Sequence, residues 1–104
     1  MSEPFTLPMS GEVVQLRGLT GYEVSLARKL HGEDEFAHSM LSLGWCMSDG
    51  SVKPDEAQAV GEAWARVHLA GDYAAAVQRG LELSGLADEA ASDAYKSVPR
   101  RRRK

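Results

Sequence analysis

The eight residues Leu16-Arg17-Gly18-Leu19-Thr20-Gly21-Tyr22-Glu23 separate two different hydrophobic patterns in this chain. Before this stretch the apolar residues alternate with period two, which is typical of a β-strand, and after it they recur with helical spacing. Thr20 and Glu23 have the spacing of a capping box, in which each side chain accepts a hydrogen bond from the other residue's backbone N–H. Leu19 and Val24 occupy the two hydrophobic-staple positions around that cap. The stretch therefore predicts the point where a β-hairpin ends and a helical body begins.

The residues before this point predict a β-hairpin over residues 5–17. Apolar side chains alternate over 5–9, a turn is expected at Ser10-Gly11, and a second strand follows over 12–17, with Val14 and Leu16 on one face. An isolated hairpin of two strands is marginally stable in water. We therefore expect this one to pack on the helices or to extend a sheet in another subunit, which leaves self-association open.

The residues after the cap predict a helical body over residues 20–98. Caps, glycines and prolines divide it into four to five short helices, at about 21–31, 33–47, 54–68, 72–84 and 86–97. In the first helix the expected buried stripe is Tyr22, Leu26 and Leu30, four residues apart. The expected fold class is α+β, mainly α, with an N-terminal β-hairpin followed by these helices in a single domain over residues 1–99.

The second predicted helix has an unusually wide apolar face. One stripe contains Phe36, Met40, Leu43 and Met47, and a neighbouring stripe contains Ala37, Leu41 and Gly44. Core packing is the commoner use of such stripes, and an adaptable partner-binding surface is the alternative. We take Leu41 and Trp45 as candidate partner-binding residues. In the third helix, Trp64 is expected to anchor the core.

The charge of the chain is divided between an acidic body and a short basic end. The net charge is −3, but the last five residues are all basic, so the rest of the chain carries −8. We expect this end to be a disordered tail and a second candidate contact with partners, formed by Arg100, Arg101, Arg102, Arg103 and Lys104. Domains that bind DNA are usually basic, whereas the body of this chain is acidic. The charge therefore disfavours nucleic acid as a partner. No apolar run or N-terminal leader pattern indicates a membrane segment, and the lone Cys46 fits a reducing cytoplasm.

No set of residues has the spacing of a catalytic or metal site. Cys46 and His38 lie eight residues apart, too far for a nucleophile pair on one helix, and a small buried thiol is the simpler interpretation. The histidines and Cys46 show no ligand spacing typical of zinc. The sequence therefore predicts a protein that is not an enzyme and has no cofactor or metal.

Several short motifs resemble tail assembly chaperones of long-tailed bacteriophages. They are the hairpin end Val14 to Gly21, the turn at Asp49-Gly50, the segment Ala70-Gly71-Asp72 with Val77, and Leu83-Ser84-Gly85-Leu86. The Arg-rich end of the chain is not a feature that this resemblance explains.

The resemblance implies a small, non-enzymatic helical protein that acts in the host cytoplasm and is absent from the mature virion. Such proteins bind the tape measure protein, keep it soluble and help to recruit tail tube subunits around it. The partners expected from the resemblance are thus the tape measure protein and the tail tube protein. The alternative hypothesis is a small regulatory protein that binds nucleic acid through its basic C-terminal tail.

Overall fold

The computed structural model describes residues 2–86, and the predicted helix over 86–97 and the basic tail at 100–104 lie, apart from Leu86, outside the described residues. The elements are β1 (Ser2–Thr6), β2 (Val13–Arg17), α1 (Gly21–His31), α2 (Glu35–Cys46), α3 (Pro54–Val67) and α4 (Ala70–Leu83). The predicted fold class is confirmed: an antiparallel N-terminal hairpin is followed by helices.

The first strand lies three residues earlier than the sequence predicts, so the loop of the hairpin is longer than the expected turn at Ser10-Gly11. β1 pairs with β2 from Ser2 opposite Arg17 to Thr6 opposite Val13, so residues 7–12 form the connection. Gly11 has a φ of +78°, which favours glycine, and its N–H donates to the carbonyl of Leu7. The predicted face of β2 is confirmed, because Leu16 is fully buried and Val14 packs against the same cluster.

Helix α2 lies between two groups of buried side chains and contributes to both. On one side Leu43 and Cys46 pack with side chains of the hairpin and α4: Leu7, Leu16 and Ala76. On the other side Leu41 and Trp45 pack with Ala27 of α1 and Ala57 of α3. The wide apolar face of α2 is therefore used as core on both sides.

The closest helix packing in the described chain joins α2 to α3. A methyl group placed on Gly44 would overlap the backbone carbonyl of Ala57, and one on Gly61 would overlap the carbonyl of Met40. Each helix thus presents a glycine to the backbone of the other, which lets the two helix axes come close together.

The predicted buried stripe of α1 and the predicted core position of Trp64 are only partly correct. In α1 the buried residues are Glu23 and Ala27, whereas Tyr22 is 75% exposed and Leu30 is 47% exposed. The reason is that Glu23 turns inward to meet Arg17, which rotates the predicted stripe toward solvent. In α3 the glycine contact selects Ala57 and Gly61 as the buried face. Trp64 is half-buried at its edge, where it packs against the hairpin-side cluster rather than lying fully within the core.

Candidate partner-binding surface

The two helix residues predicted to bind a partner are core residues. Leu41 is fully buried and Trp45 is 2% exposed, and the Trp45 Nε1–H donates to the carbonyl of Val52 at 3.0 Å. The prediction that they form an exposed partner face is therefore wrong. The physical reason is that α1 and α3 both pack on this side of α2, so the second apolar stripe is covered. The other predicted contacts, Arg100, Arg101, Arg102, Arg103 and Lys104, lie outside the described residues.

The sequence-predicted capping box is confirmed and forms part of a larger polar anchor. The Thr20 hydroxyl accepts from the N–H of Glu23 at 3.2 Å, and the Glu23 carboxylate accepts from the N–H of Thr20 at 3.0 Å. Arg17 donates to both oxygens of the same carboxylate, at 2.9 and 2.8 Å, and its Nε–H donates to the carbonyl of Ser48 after α2. Arg17 therefore ties β2, the start of α1 and the end of α2 together.

This geometry sets the ionisation of the anchor. The hydrogen bonds from Arg17 lower the pKa of the Glu23 carboxyl, with burial acting against them and the N–H of Thr20 adding to them. The hydrogen bond to Glu23 likewise raises the pKa of Arg17. Both groups are charged at neutral pH and both are largely withdrawn from solvent, which makes the anchor a structural element rather than a binding site.

Exposed apolar side chains gather at the opposite end of the bundle. Phe36, at the start of α2, is 65% exposed, and its ring centroid lies 6.3 Å from that of the half-buried Tyr73 on α4. Leu69, one turn before Tyr73, and Met9 of the hairpin loop are also largely exposed. We refer to Met9, Phe36, Leu69 and Tyr73 as the apolar surface. A grouping of exposed apolar side chains that come from three separate elements is typical of a protein-binding surface.

The apolar surface continues into an open groove between α2 and α3. Phe36, Met40 and Ala65 line it together with the oppositely charged side chains of Glu62 and Arg66. A groove lined by apolar side chains with charged side chains among them can accept one face of an amphipathic helix.

Polar contacts fix the hairpin loop beside this surface. The two carboxylate oxygens of Asp72 accept from the backbone N–H groups of Met9 and Ser10, at 2.8 and 3.2 Å. Asp72 is buried, and it lies next to Tyr73 in the first turn of α4. The loop that carries Met9 is therefore held in place by a residue 63 positions later in the chain.

His68 makes a second connection between the loop and the helices. Its Nδ1 lies 2.9 Å from the carbonyl of Trp64 and its Nε2 lies 3.0 Å from the carboxylate of Glu12. The imidazole ring stacks on the Trp64 indole, with centroids 3.7 Å apart and planes at 12°. Both ring nitrogens face acceptors, so the protonated ring satisfies this arrangement best. Burial acts to lower the pKa of His68, but the hydrogen bonds to Trp64 and Glu12 outweigh it and the pKa is raised.

The side chains considered above as a nucleophile or as metal ligands are not arranged for either role in the part of the chain that the structure describes. Burial raises the pKa of the Cys46 thiol to about 12, so it is protonated at neutral pH, and a buried protonated thiol is a poor nucleophile. Within residues 2–86 no three His, Cys, Asp or Glu side chains are placed to hold a metal ion together. Among the helices of that same part of the chain, none combines the length and the hydropathy needed to cross a membrane.

The apolar surface and the contacts around it are not predicted by the sequence patterns. The sequence pattern predicts a strand at Met9, a stripe of the wide apolar face at Phe36, and only the start of the fourth helix at Asp72. One signal was present: Gly71, which leaves room for the Met9 side chain, stands directly before Asp72. The pairing of Asp72 with the hairpin loop joins positions far apart in the sequence, and no local pattern encodes it.

Comparison with protein-family models, with curated proteins and with solved structures finds no match to this chain.

Proposed function

We propose that this protein is a non-enzymatic assembly chaperone for long-tailed bacteriophages, and that it binds amphipathic helices of a tape measure protein on its apolar surface. The observation that carries the choice of surface is the exposure of Phe36 at the mouth of an apolar groove. The choice of partner rests on the resemblance of residues 14–21, 49–50, 70–72 with 77, and 83–86 to tail assembly chaperones. Recruitment of tail tube subunits, action in the host cytoplasm and absence from the mature virion are parts of the same proposal.

The physical requirements of such a chaperone agree with this surface. A long helical chain that has not yet been enclosed by a tube exposes apolar stripes, and such stripes aggregate. A chaperone has to cover them reversibly, through several weak contacts along one chain. The groove offers three apolar side chains for such a stripe, and the opposite charges of Glu62, which also accepts from Gln58, and Arg66 can meet polar side chains of a bound helix.

The alternative is a small regulatory protein that binds nucleic acid through residues 100–104. The five consecutive basic residues favour it, and the twelve acidic side chains of residues 2–86, against six basic ones, oppose it. If the alternative holds, DNA should bind with an affinity that falls steeply with salt and is lost when residues 100–104 are removed.

The chaperone proposal predicts a tape measure gene beside the gene for this protein, and it is tested by co-expression of the two proteins. We expect the wild-type chain to raise the soluble fraction of that partner and to be recovered with it in several copies per partner chain. Phe36→Asp should abolish both effects while leaving the fold intact, because the side chain is largely exposed.

Tyr22→Asp is the matched control. It places the same charge at an equally exposed aromatic position on α1, away from the apolar surface, and should retain both effects. A wild-type protein that leaves the partner insoluble and unbound would refute the proposed function. Equal loss of binding in both variants would show that the apolar surface is not the specific site.

A further inference from the structure

We propose that the groove between the start of α2 and the end of α3 binds a helix that runs antiparallel to α3. The bound segment carries an acidic residue opposite Arg66 and, four residues later, a basic residue opposite Glu62. Two apolar residues of the segment, also four apart, enter the groove between these charges and α2. The inference rests on the proposed function and deepens it, because it states which segments of a tape measure protein the groove selects.

The first reason is the way the seam between α2 and α3 is built. The carbonyl of Ala57 lies against Gly44, and the carbonyl of Met40 lies against Gly61. From the first contact to the second, the chain goes back four residues on α2 and forward four residues on α3. The two helices are therefore antiparallel, and their contacts repeat once per turn along a single seam.

The second reason is that the seam opens at its next repeat. One turn beyond the contact of Met40 with Gly61, the same spacing brings Phe36 opposite Ala65, and neither of these residues is a glycine. This is where the open groove lies, with Phe36, Met40 and Ala65 in its lining. Since Phe36 and Met40 are four residues apart, about 6 Å along α2, they match two apolar residues one turn apart on a bound helix.

The third reason is the pair of charges on the α3 side of the groove. Glu62 and Arg66 are one turn apart, and both line the groove. Glu62 is half-buried and accepts a hydrogen bond from Gln58 at 3.3 Å, whereas Arg66 is exposed. Within residues 2–86 neither of the two charged groups takes part in an ion pair. Both charges therefore remain available to side chains of a partner.

The charges determine the chemistry of the partner helix. An acidic and a basic residue four positions apart lie on one side of a helix at the same spacing as Arg66 and Glu62. An isolated helix is more stable when the acidic residue precedes the basic one by four positions than in the reverse order. A segment with the stable order meets Arg66 first and Glu62 second, so it runs antiparallel to α3 and parallel to α2.

The same contacts give a weak, reversible interaction at each segment. Two apolar side chains and two exposed ion pairs contribute little affinity on their own. A long partner chain with repeated segments of this pattern gains affinity by binding several copies of the protein. Selection by charge order also distinguishes these segments from other apolar helices.

The experiment measures binding of synthetic alanine-based peptides of about 15 residues to the isotope-labelled full-length protein. Each charged peptide has two leucines four apart, a glutamate, and a lysine four residues after the glutamate. Two versions place the charges on one or the other flank of the leucines, because only one flank can face α3. A neutral peptide has glutamine at both charged positions. At low salt we expect one charged version to bind about fivefold more tightly than the neutral peptide, and the difference should shrink at high salt.

A nitroxide at one end of the tighter peptide reports its direction. Gln58 and Val67 are nine residues apart on α3, about 13 Å, so they mark the two ends of the contact. With the nitroxide at the peptide N-terminus, the amide signal of Val67 should lose more intensity than that of Gln58, relative to the reduced label. With the nitroxide at the C-terminus, the order should reverse.

A matched variant exchanges the two charges of the groove. Glu62→Lys together with Arg66→Glu keeps the net charge of the protein, and the same peptide should bind in the opposite direction with similar affinity. The N-terminal nitroxide should then attenuate Gln58 more than Val67. Arg66→Gln, at an exposed position, is the second variant and should weaken binding of the charged peptide about twofold without changing that of the neutral peptide.

Four results would overturn the proposal. They are equal affinity for the charged and neutral peptides, equal attenuation of Gln58 and Val67, an unchanged direction in the charge-exchanged variant, and binding that survives Phe36→Asp, which would place the peptides outside the groove.

These results are separate from the co-expression test of the proposed function. If the tape measure protein is kept soluble while the peptides bind without regard to charge, the proposed function stands and this inference fails. If the tape measure protein stays insoluble and unbound while the peptides bind in the expected direction, the selectivity of the groove is supported and the proposed function fails.

Discussion

The α2–α3 pair and helix α1 are built on opposite principles, although both have apolar side chains at helical spacing. In the α2–α3 pair the backbones meet directly at Gly44 and Gly61, and the apolar residues between them are buried. In α1 the anchor is polar: the Thr20 cap and the Arg17–Glu23 ion pair decide which side faces inward. The comparison shows that spacing identifies a helix, but that a single strong contact determines its rotation about its own axis.

The largest effect is expected at the glycine contact. Gly44→Ala should reduce the free energy of unfolding by about 3 kcal/mol, because the added methyl group overlaps the Ala57 carbonyl and neither backbone can move independently. Gly21→Ala, at the exposed start of α1, is the control and should cause no loss, since nothing lies within 4 Å of the added methyl group. Chemical denaturation of both variants measures the difference. A loss for Gly44→Ala below 1 kcal/mol would mean that the helices do not approach as closely as described.

The polar anchor of α1 is expected to have the next largest effect. Arg17→Met should reduce the free energy of unfolding by about 2 kcal/mol, because it leaves a buried carboxylate without its main partner. The pKa of Glu23 is lowered in the folded protein, so its contribution is fully present above the pKa of the unfolded chain and is lost as the pH falls through the folded pKa. Denaturation measured from pH 7 down to pH 2 should therefore show a steeper acid loss for the wild type than for a chain carrying both Arg17→Met and Glu23→Gln. If the free energy of unfolding falls with pH at the same rate in both proteins, the Arg17–Glu23 pair does not stabilise α1.

The N-terminal cap itself should have a smaller effect than the ion pair that it supports. Thr20→Ala removes the acceptor for the N–H of Glu23 and should lower the free energy of unfolding by about 1 kcal/mol. Ser25→Ala lies in the middle of the same helix at an exposed position and should be neutral or slightly stabilising. If the two variants have the same melting temperature, the rotation of α1 depends on Arg17 alone.

The smallest effect is expected at His68, where the end of α3 meets the hairpin loop. Its pKa is raised, so the contribution to stability is fully present below the pKa of the unfolded chain and is lost as the pH rises through the folded pKa. The expected change is about 0.5 kcal/mol, because Glu12 is half exposed and the pair is partly screened. In an NMR titration the His68 signals should titrate at higher pH than those of His38, whose pKa is lowered by burial, with Arg28 and His31 adding to the shift. Glu12→Gln should lower the pKa of His68 toward that of His38, and an unchanged pKa of His68 would show that Glu12 does not influence the ring.

The sequence was sufficient for features that depend on neighbouring residues. The cap at Thr20, the start of α3 at Pro54 and the glycine that ends α4 each follow from the chemistry of a few adjacent positions. The rotation of α1 about its axis could not be predicted, because two faces of the helix have residues at helical spacing. One face contains Tyr22, Leu26 and Leu30, and the other, which is the buried one, contains Glu23 and Ala27. The choice between them depends on Arg17, which lies on a strand.

The candidate surface was harder to predict than the fold. Leu41 and Phe36 belong to two neighbouring apolar stripes of α2, and the structure covers the stripe that was expected to bind a partner. The covering helices α1 and α3 are both placed by contacts between distant positions: Arg17 with Ser48, and Gly44 with Ala57. The hairpin loop is likewise fixed by Asp72, so the place of Met9 depends on the final helix of the described chain.

The backbone contact at Gly44 and Gly61 also bears on how diverged relatives of this protein could be recognised. Surface charges and even most core side chains can be exchanged for others of similar volume, whereas neither of these two positions can accept a side chain while the helices keep their spacing. Mutational drift would therefore erase the apolar stripes before it erased the two glycines. A search for two glycines seventeen positions apart, with an alanine four residues before the second, would therefore use the sequence feature of this fold that is expected to persist longest.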